Sequence, residues 1–122
     1  MSKYKAQGFA GTFKNARKGF RLVVRSEMNI RIHLIIAFLV LITAYFLKFS
    51  AVEFCILIFA IAFVIISEML NTAIEFSLDA IYHNKYSKMV GMAKDISAGA
   101  VMLASFISLL VGVILFGKHL LG

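Results

Sequence analysis

The chain has 122 residues, of which 61% are hydrophobic, well above the roughly 45–50% of ordinary soluble domains, and its mean hydropathy is +0.92. Its net charge of +7 does not indicate a nucleic-acid surface, because eight of the thirteen Lys and Arg residues lie within residues 3–31, ahead of the first apolar segment. Length and composition therefore predict one integral membrane domain over residues 1–122, with no nucleic acid as partner.

An amphipathic surface helix is predicted for about residues 4–26. Its apolar side chains recur at helical spacing, at Phe9, Phe13, Phe20 and Val24, with basic residues between them. Positive charge beside a membrane span stays in the cytosol and attracts anionic lipid headgroups. We therefore expect this helix to anchor a retained, cytosolic N-terminus; the alternative is that its cations also contact a phosphorylated ligand.

Three transmembrane helices complete the predicted all-α membrane fold, at about residues 32–48, 53–80 and 94–117. The first is short, but Arg31 and Lys48 flank it and can extend to the lipid surface. The third contains 22 uncharged residues, 96–117, about the number that crosses a bilayer. Small side chains recur at every fourth position of this third span, a pattern that favours close helix packing: Ala100, Ala104, Ser108 and Gly112.

The connecting segments set the predicted orientation. Residues 49–53 form a short outer turn, whereas the loop of about 81–92 carries Lys85 and Lys88 and is predicted to return to the cytosol. Three spans then place the C-terminus, with Lys118 and His119, on the outer side. A bundle this small cannot surround both a lipid headgroup and a large second ligand, so we expect oligomers.

The second predicted span carries carboxylates at an unusual depth. Glu68 follows fourteen uncharged residues, 54–67, which as a helix cover about 21 Å of a hydrocarbon core about 30 Å thick. Glu68 is therefore expected inside the membrane, about a third of the way in from the cytosolic side. Glu75 then reaches the headgroup boundary, and Asp79 lies just beyond it.

These acidic residues belong to one polar stripe. At about 100° per residue, an arc of about 80° contains Glu68, Asn71, Glu75 and Asp79. An ionised side chain in the bilayer costs about 2.5–3.5 kcal/mol on insertion scales, so Glu68 is expected to have a function. The structural alternative is that the stripe pairs with neighbouring helices, with Asp79 no more than a solvated helix end.

Further charged residues are predicted at the same cytosolic boundary. Glu27 precedes the first span, and Lys94 and Asp95 open the third. Such a set suits phosphoryl transfer: carboxylates hold a divalent cation on nucleotide phosphates, a lysine neutralises charge, and a base accepts a hydroxyl proton. The eight glycines form neither G-x-G-x-x-G nor G-x-x-x-x-G-K-[ST], so a nucleotide site must depend on side chains and metal.

Five sequence features at these residues resemble the prokaryotic diacylglycerol kinase family, most closely its Gram-positive undecaprenol kinase branch. They are Lys18-Gly-Phe-Arg21, Glu27, the run Glu68-Met-Leu-Asn-Thr-Ala-Ile-Glu75, Asp79, and the run Ala93-Lys-Asp-Ile-Ser-Ala-Gly-Ala-Val101. The resemblance covers almost the whole chain. The last two runs are its most specific part.

This resemblance implies a homotrimer in the bacterial cell membrane, with active sites between subunits at the cytosolic face. It further implies ATP as phosphoryl donor and Mg²⁺ as cofactor. By the same resemblance, Glu68 accepts the proton of a lipid hydroxyl, and Glu27 and Glu75 bind magnesium. The remaining residues implied to position the phosphates and the nucleotide are Asn71, Lys94 and Asp95.

The expected function is phosphorylation of a membrane lipid alcohol. Undecaprenol is preferred over diacylglycerol, because the motifs resemble that branch and because the Ile-, Phe-, Lys- and Asn-rich composition is typical of a low-GC genome. A small proton- or cation-coupled transporter could also use Glu68, but it would not need the cytosolic set. A membrane interaction protein would use the polar stripe only for assembly.

Overall fold

The computed structural model describes residues 8–83, 85 and 87–122, and it is all-helical over these residues. The four helices are α1 (Phe9–Ser26), α2 (Met28–Phe46), α3 (Ala51–Tyr82) and α4 (Lys88–Leu121). Each of α2, α3 and α4 is long and apolar enough to cross a membrane, which confirms the three predicted spans. The predicted start of the first helix near residue 4 lies outside the described residues.

The ends of the helices do not coincide with the ends of the apolar segments from which they were predicted. The loop predicted over about 81–92 was too long, since α4 begins at Lys88. The Ser87 side chain accepts a hydrogen bond from the Val90 backbone N–H at 3.1 Å and starts α4, while His83, with φ 53°, closes α3. Hydropathy marks the part of a helix that suits lipid, whereas capping residues fix where the helix starts and stops.

A capping box starts α3 after the short turn that follows α2. The Glu53 N–H donates to the Ser50 hydroxyl at 3.2 Å, and the Ser50 N–H donates to the Glu53 carboxylate at 2.8 Å. The spacing Ser-x-x-Glu before an apolar run is the sequence signature of this motif. The predicted turn of residues 49–53 is therefore nearly correct, with its end set by Ser50.

The buried Glu53 joins the start of α3 to the end of α4. Lys118 donates to Glu53 Oε2 at 2.9 Å, and His119 Nε2 lies 2.9 Å from Glu53 Oε1. The His119 ring also stacks on Phe49, with ring centroids 4.4 Å apart. A hydrophobic cluster lies against this end, formed by Ala44, Phe49, Leu57 and Leu115.

At the opposite end of the bundle, α1 and α2 are separated by one extended residue. Glu27 has φ −118° and ψ 112°, so it interrupts the helix and serves as the N-cap of α2. Arg31 Nη1 donates to the carbonyls of Val24 and Arg25, both at 2.8 Å, and so caps the last turn of α1. The break lies beside α3, where the Glu27 carboxylate accepts a hydrogen bond of 3.4 Å from the Thr72 hydroxyl.

Of the small side chains predicted to form a packing face on α4, Ala104 alone is buried, with 1% exposure. Ala100 is exposed, and a Cβ added at Gly112 would meet no atom within 4 Å in the described chain. Within one chain, the small-residue pattern therefore corresponds to close packing at Ala104 and to open space at Gly112.

Ala104→Leu is expected to lower the free energy of unfolding by about 1–3 kcal/mol, because the larger side chain overpacks a filled interior position. The measurement is denaturation in detergent micelles, followed by helical circular dichroism. Ala100→Leu is the matched control, since it makes the same change one turn earlier at an exposed position. Equal stability of the two variants would contradict the packing described here.

Candidate active site

Glu68 lies on α3 with its side chain turned into the bundle, and the residue is only 8% exposed. Its Oε1 is 3.2 Å from Nδ1 of His33 on α2. The ring is not aligned for a hydrogen bond, and no hydrogen-bond partner among the described residues reaches His33 Nδ1 or Glu68 Oε2. A buried carboxylate and a buried imidazole nitrogen thus face each other with hydrogen-bonding capacity left over.

A small polar pocket of about 70 Å³ adjoins Glu68. Its lining combines α2, α3 and α4 and consists of Glu27, Asn29, Ile30, Glu68, Asn71, Thr72 and Val101. The Thr72 hydroxyl donates a long hydrogen bond of 3.4 Å to Glu27 Oε1, so it connects the α1–α2 break to α3. Three of the predicted site residues, Glu27, Glu68 and Asn71, therefore meet at one pocket.

Asn71 connects this pocket to Glu75 and to α4. Its Nδ2 donates to Glu75 Oε1 at 2.8 Å, and its Oδ1 accepts from the buried Ser97 hydroxyl at 2.5 Å. Because both ends of the amide are engaged, the orientation of Asn71 is fixed. Glu75, one turn beyond Asn71 on the same face of α3, is thereby oriented by a chain of hydrogen bonds that begins on α4.

Lys94 of α4 forms an ion pair with Asp79, with Nζ 2.7 Å from Oδ1. The Asp79 side chain is partly exposed, and this ion pair joins the end of α3 to α4. Glu68, Glu75 and Asp79 form a carboxylate row along α3, in which Asp79 lies one turn beyond Glu75. The ion pair therefore places Lys94 at the Asp79 end of this row. Asp95 is exposed and does not line the polar pocket.

An apolar groove of about 510 Å³ runs between α2, α3 and α4. Its walls are mainly aliphatic and include Ala37, Val40, Leu57, Ile61 and Val64. His33 lines the groove, and the same residue contacts Glu68, which lines the polar pocket. The His33–Glu68 pair therefore lies where the apolar groove meets the polar pocket.

The oxygen-bearing side chains at the polar pocket are of the kind that magnesium prefers. Among the described residues, no three His, Cys, Asp or Glu side chains converge as a protein-only metal cage. Mg²⁺ is commonly held by one or two carboxylates together with substrate phosphates and water, and the polar pocket offers the carboxylates of Glu27 and Glu68. Of the two carboxylates predicted to bind Mg²⁺, Glu27 lines this pocket, whereas Glu75 is connected to the pocket through its hydrogen bond with Asn71.

Three polar residues that the structure brings to the site were not predicted from the sequence. His33 contacts Glu68, Thr72 bonds to Glu27, and Ser97 bonds to Asn71. A signal was present for His33, because an ionisable side chain at the start of an apolar span indicates a function. Thr72 follows Glu68 by one helical turn and shares its face, so periodicity also pointed to it.

Known proteins of one enzyme family match most of this chain. Residues 14–116 match the family model described as prokaryotic diacylglycerol kinase. An undecaprenol kinase of Bacillus subtilis is 34% identical over 108 residues, which cover 88% of this chain and 87% of the relative. A diacylglycerol kinase of Synechocystis is 33% identical, covering 83% of this chain and 58% of its own length.

A diacylglycerol kinase of Escherichia coli K12 is 31% identical over 102 residues, which cover 84% of this chain and 83% of the relative. The matched segment, residues 14–116, includes the polar pocket, the groove and the carboxylate row of α3. The chain therefore belongs to the prokaryotic diacylglycerol kinase family and is a lipid kinase.

Proposed function

We propose that this protein transfers the γ-phosphate of ATP to the hydroxyl of undecaprenol, with Mg²⁺ as cofactor. The observation that carries the proposal is the position of Glu68, a buried carboxylate between an apolar groove and a polar, carboxylate-lined pocket. A lipid alcohol needs an apolar channel for its tail, and a nucleotide needs polar groups. This junction offers both within reach of one base.

In the proposed reaction, the lipid hydroxyl oxygen attacks the γ-phosphorus while its proton passes to Glu68. The new oxygen–phosphorus bond forms as the bond from the γ-phosphorus to the bridging oxygen breaks, and ADP leaves. Glu68 acts as general base, a role that requires a carboxylate within hydrogen-bond reach of the hydroxyl. Magnesium, when bound, offsets the charge that develops on the phosphates.

The nucleotide is proposed to lie at the polar end. Glu27 and Glu75 bind the magnesium that ATP carries, and Asn71 fixes Glu75 through its 2.8 Å hydrogen bond. Lys94 and Asp95 position the phosphates and the nucleotide from α4. Support for Lys94 comes from its ion pair with Asp79, a residue that lies one helical turn from Glu75 on α3.

The proposed assembly is a homotrimer in the bacterial cell membrane, with a cytosolic N-terminus and the site at the cytosolic face. Amphipathic α1 lies on anionic headgroups, as its basic residues indicate. A polar pocket of about 70 Å³ is far smaller than a nucleotide. Further walls from neighbouring subunits are therefore part of the proposal, as the family resemblance implies.

The choice of lipid is tested by incubating the protein with magnesium and γ-labelled ATP in mixed micelles that contain undecaprenol or diacylglycerol at equal mole fraction. We expect labelled undecaprenyl phosphate as the faster product, in line with the Bacillus relative. Faster labelling of diacylglycerol would assign the alternative substrate, which the relatives from Synechocystis and Escherichia coli support by name. Absence of label in both lipids would refute the lipid-kinase function itself.

A further inference from the structure

Two buried polar atoms at the centre of the site lack a hydrogen-bond partner among the described residues, and they belong to neighbouring side chains. They are Nδ1 of His33 and Oε2 of Glu68. Buried polar atoms normally have a hydrogen-bond partner, so two unsatisfied ones side by side indicate a missing polar group. This group has to accept one hydrogen bond and donate another, if the imidazole carries its proton on Nδ1.

A hydroxyl meets this requirement, because it has one donor hydrogen and two acceptor lone pairs. A hydroxyl oxygen between the two residues can accept from His33 Nδ1–H and donate to Glu68 Oε2. The direction of donation matters, since the hydroxyl proton then already points to the base that removes it. A near-attack arrangement of this kind lowers the barrier to transfer.

The groove shows from which side such a hydroxyl would arrive. The His33 side chain is 33% exposed, and it lines the apolar groove, whereas the Glu68 side chain is 11% exposed and lines the polar pocket. A lipid alcohol whose tail lies along the groove would therefore meet His33 first and Glu68 next. The nucleotide would approach the same point from the polar pocket.

We propose that His33 binds the acceptor hydroxyl of the lipid, as a hydrogen-bond donor that aligns this hydroxyl with Glu68. The inference rests on the proposed function, in which Glu68 is the base. It adds a substrate-contacting residue on α2. As the hydroxyl oxygen bonds to the γ-phosphorus, its proton moves to Glu68 Oε2, the bond to the bridging oxygen of ATP breaks, and ADP leaves.

The test compares three substitutions of His33 in the full-length protein. His33→Phe keeps a ring of similar shape without an N–H group, His33→Asn keeps an N–H donor near the position of Nδ1 on a smaller side chain, and His33→Ala removes both. Steady-state transfer to undecaprenol gives kcat and the lipid KM. ATP affinity and the thermal midpoint of each variant report on folding and on the nucleotide side.

We expect kcat/KM for the lipid to fall about tenfold or more in the Phe and Ala variants, as for loss of one buried hydrogen bond, with ATP affinity unchanged. The Asn variant should recover a substantial part of the activity. If His33 only filled space, Phe would retain activity and Asn would lose it, and that pattern would overturn the proposal. So would unchanged kinetics in all three variants.

Thr43→Val is the matched control, because it removes a polar group from an exposed position ten residues further along α2. It should behave as wild type. Absence of lipid phosphorylation by the wild-type protein would refute the proposed function and the role of His33 together. Normal wild-type transfer with wild-type kinetics in His33→Phe would refute only the role of His33.

Discussion

Glu68→Gln is expected to lower the rate of lipid phosphorylation by about 10²–10⁴-fold, the usual contribution of a general base. The amide keeps the size and shape of the side chain but does not accept the hydroxyl proton. Because Glu68 lies on the groove side of the polar pocket, ATP affinity should stay close to that of wild type. Single-turnover transfer and equilibrium binding of ATP, measured on the same preparation, check both parts.

Glu53→Gln provides a matched control for this experiment. It makes the same substitution on the same helix, but at the far end, where Glu53 pairs with Lys118 and His119. We expect this variant to retain transfer at similar amounts of folded protein. A Glu68→Gln variant as active as Glu53→Gln would show that another group accepts the proton.

Glu75→Gln is expected to weaken magnesium-dependent ATP binding by at least about tenfold. Even residues that only orient a metal ligand typically contribute about 10–100-fold to metal affinity, and Glu75 is proposed as a ligand itself. The amide still forms a hydrogen bond with Asn71, so the local packing of α3 and α4 should be kept. Calorimetric titration with ATP, at several magnesium concentrations, measures the effect.

The dependence on magnesium distinguishes a ligand from a residue that contacts the nucleotide alone. For the wild type, ATP affinity should rise as magnesium is added, and Glu75→Gln should flatten this rise. Ser77→Ala, at an exposed position two residues further along α3, should titrate as wild type. Equal magnesium dependence in Glu75→Gln and wild type would exclude Glu75 as a metal ligand.

The predicted fold followed mainly from hydropathy. Long apolar segments have few alternatives to a transmembrane helix, so three apolar helices could be recognised. Their ends were less accurate, since α4 starts at Lys88, six residues before the predicted 94. That start depends on the Ser87 cap, which hydropathy does not register.

The site was predictable where residues share one helix. Periodicity placed Glu68, Asn71 and Glu75 on one face of α3. In the structure each of the three contacts another polar side chain. Contacts between helices were not predictable, because they depend on packing angles. The approach of His33 to Glu68, and the pairing of Lys94 with Asp79, belong to this class.

The most direct test of lipid phosphorylation by this protein follows the γ-phosphate itself. Wild-type protein is reconstituted into vesicles that contain undecaprenol, then supplied with magnesium and γ-labelled ATP, and lipid and water phases are analysed together. We expect label to move into the lipid in step with ADP formation, and Glu68→Gln to stop this movement. Label released only as inorganic phosphate, or label that remains on ATP, would contradict this expectation.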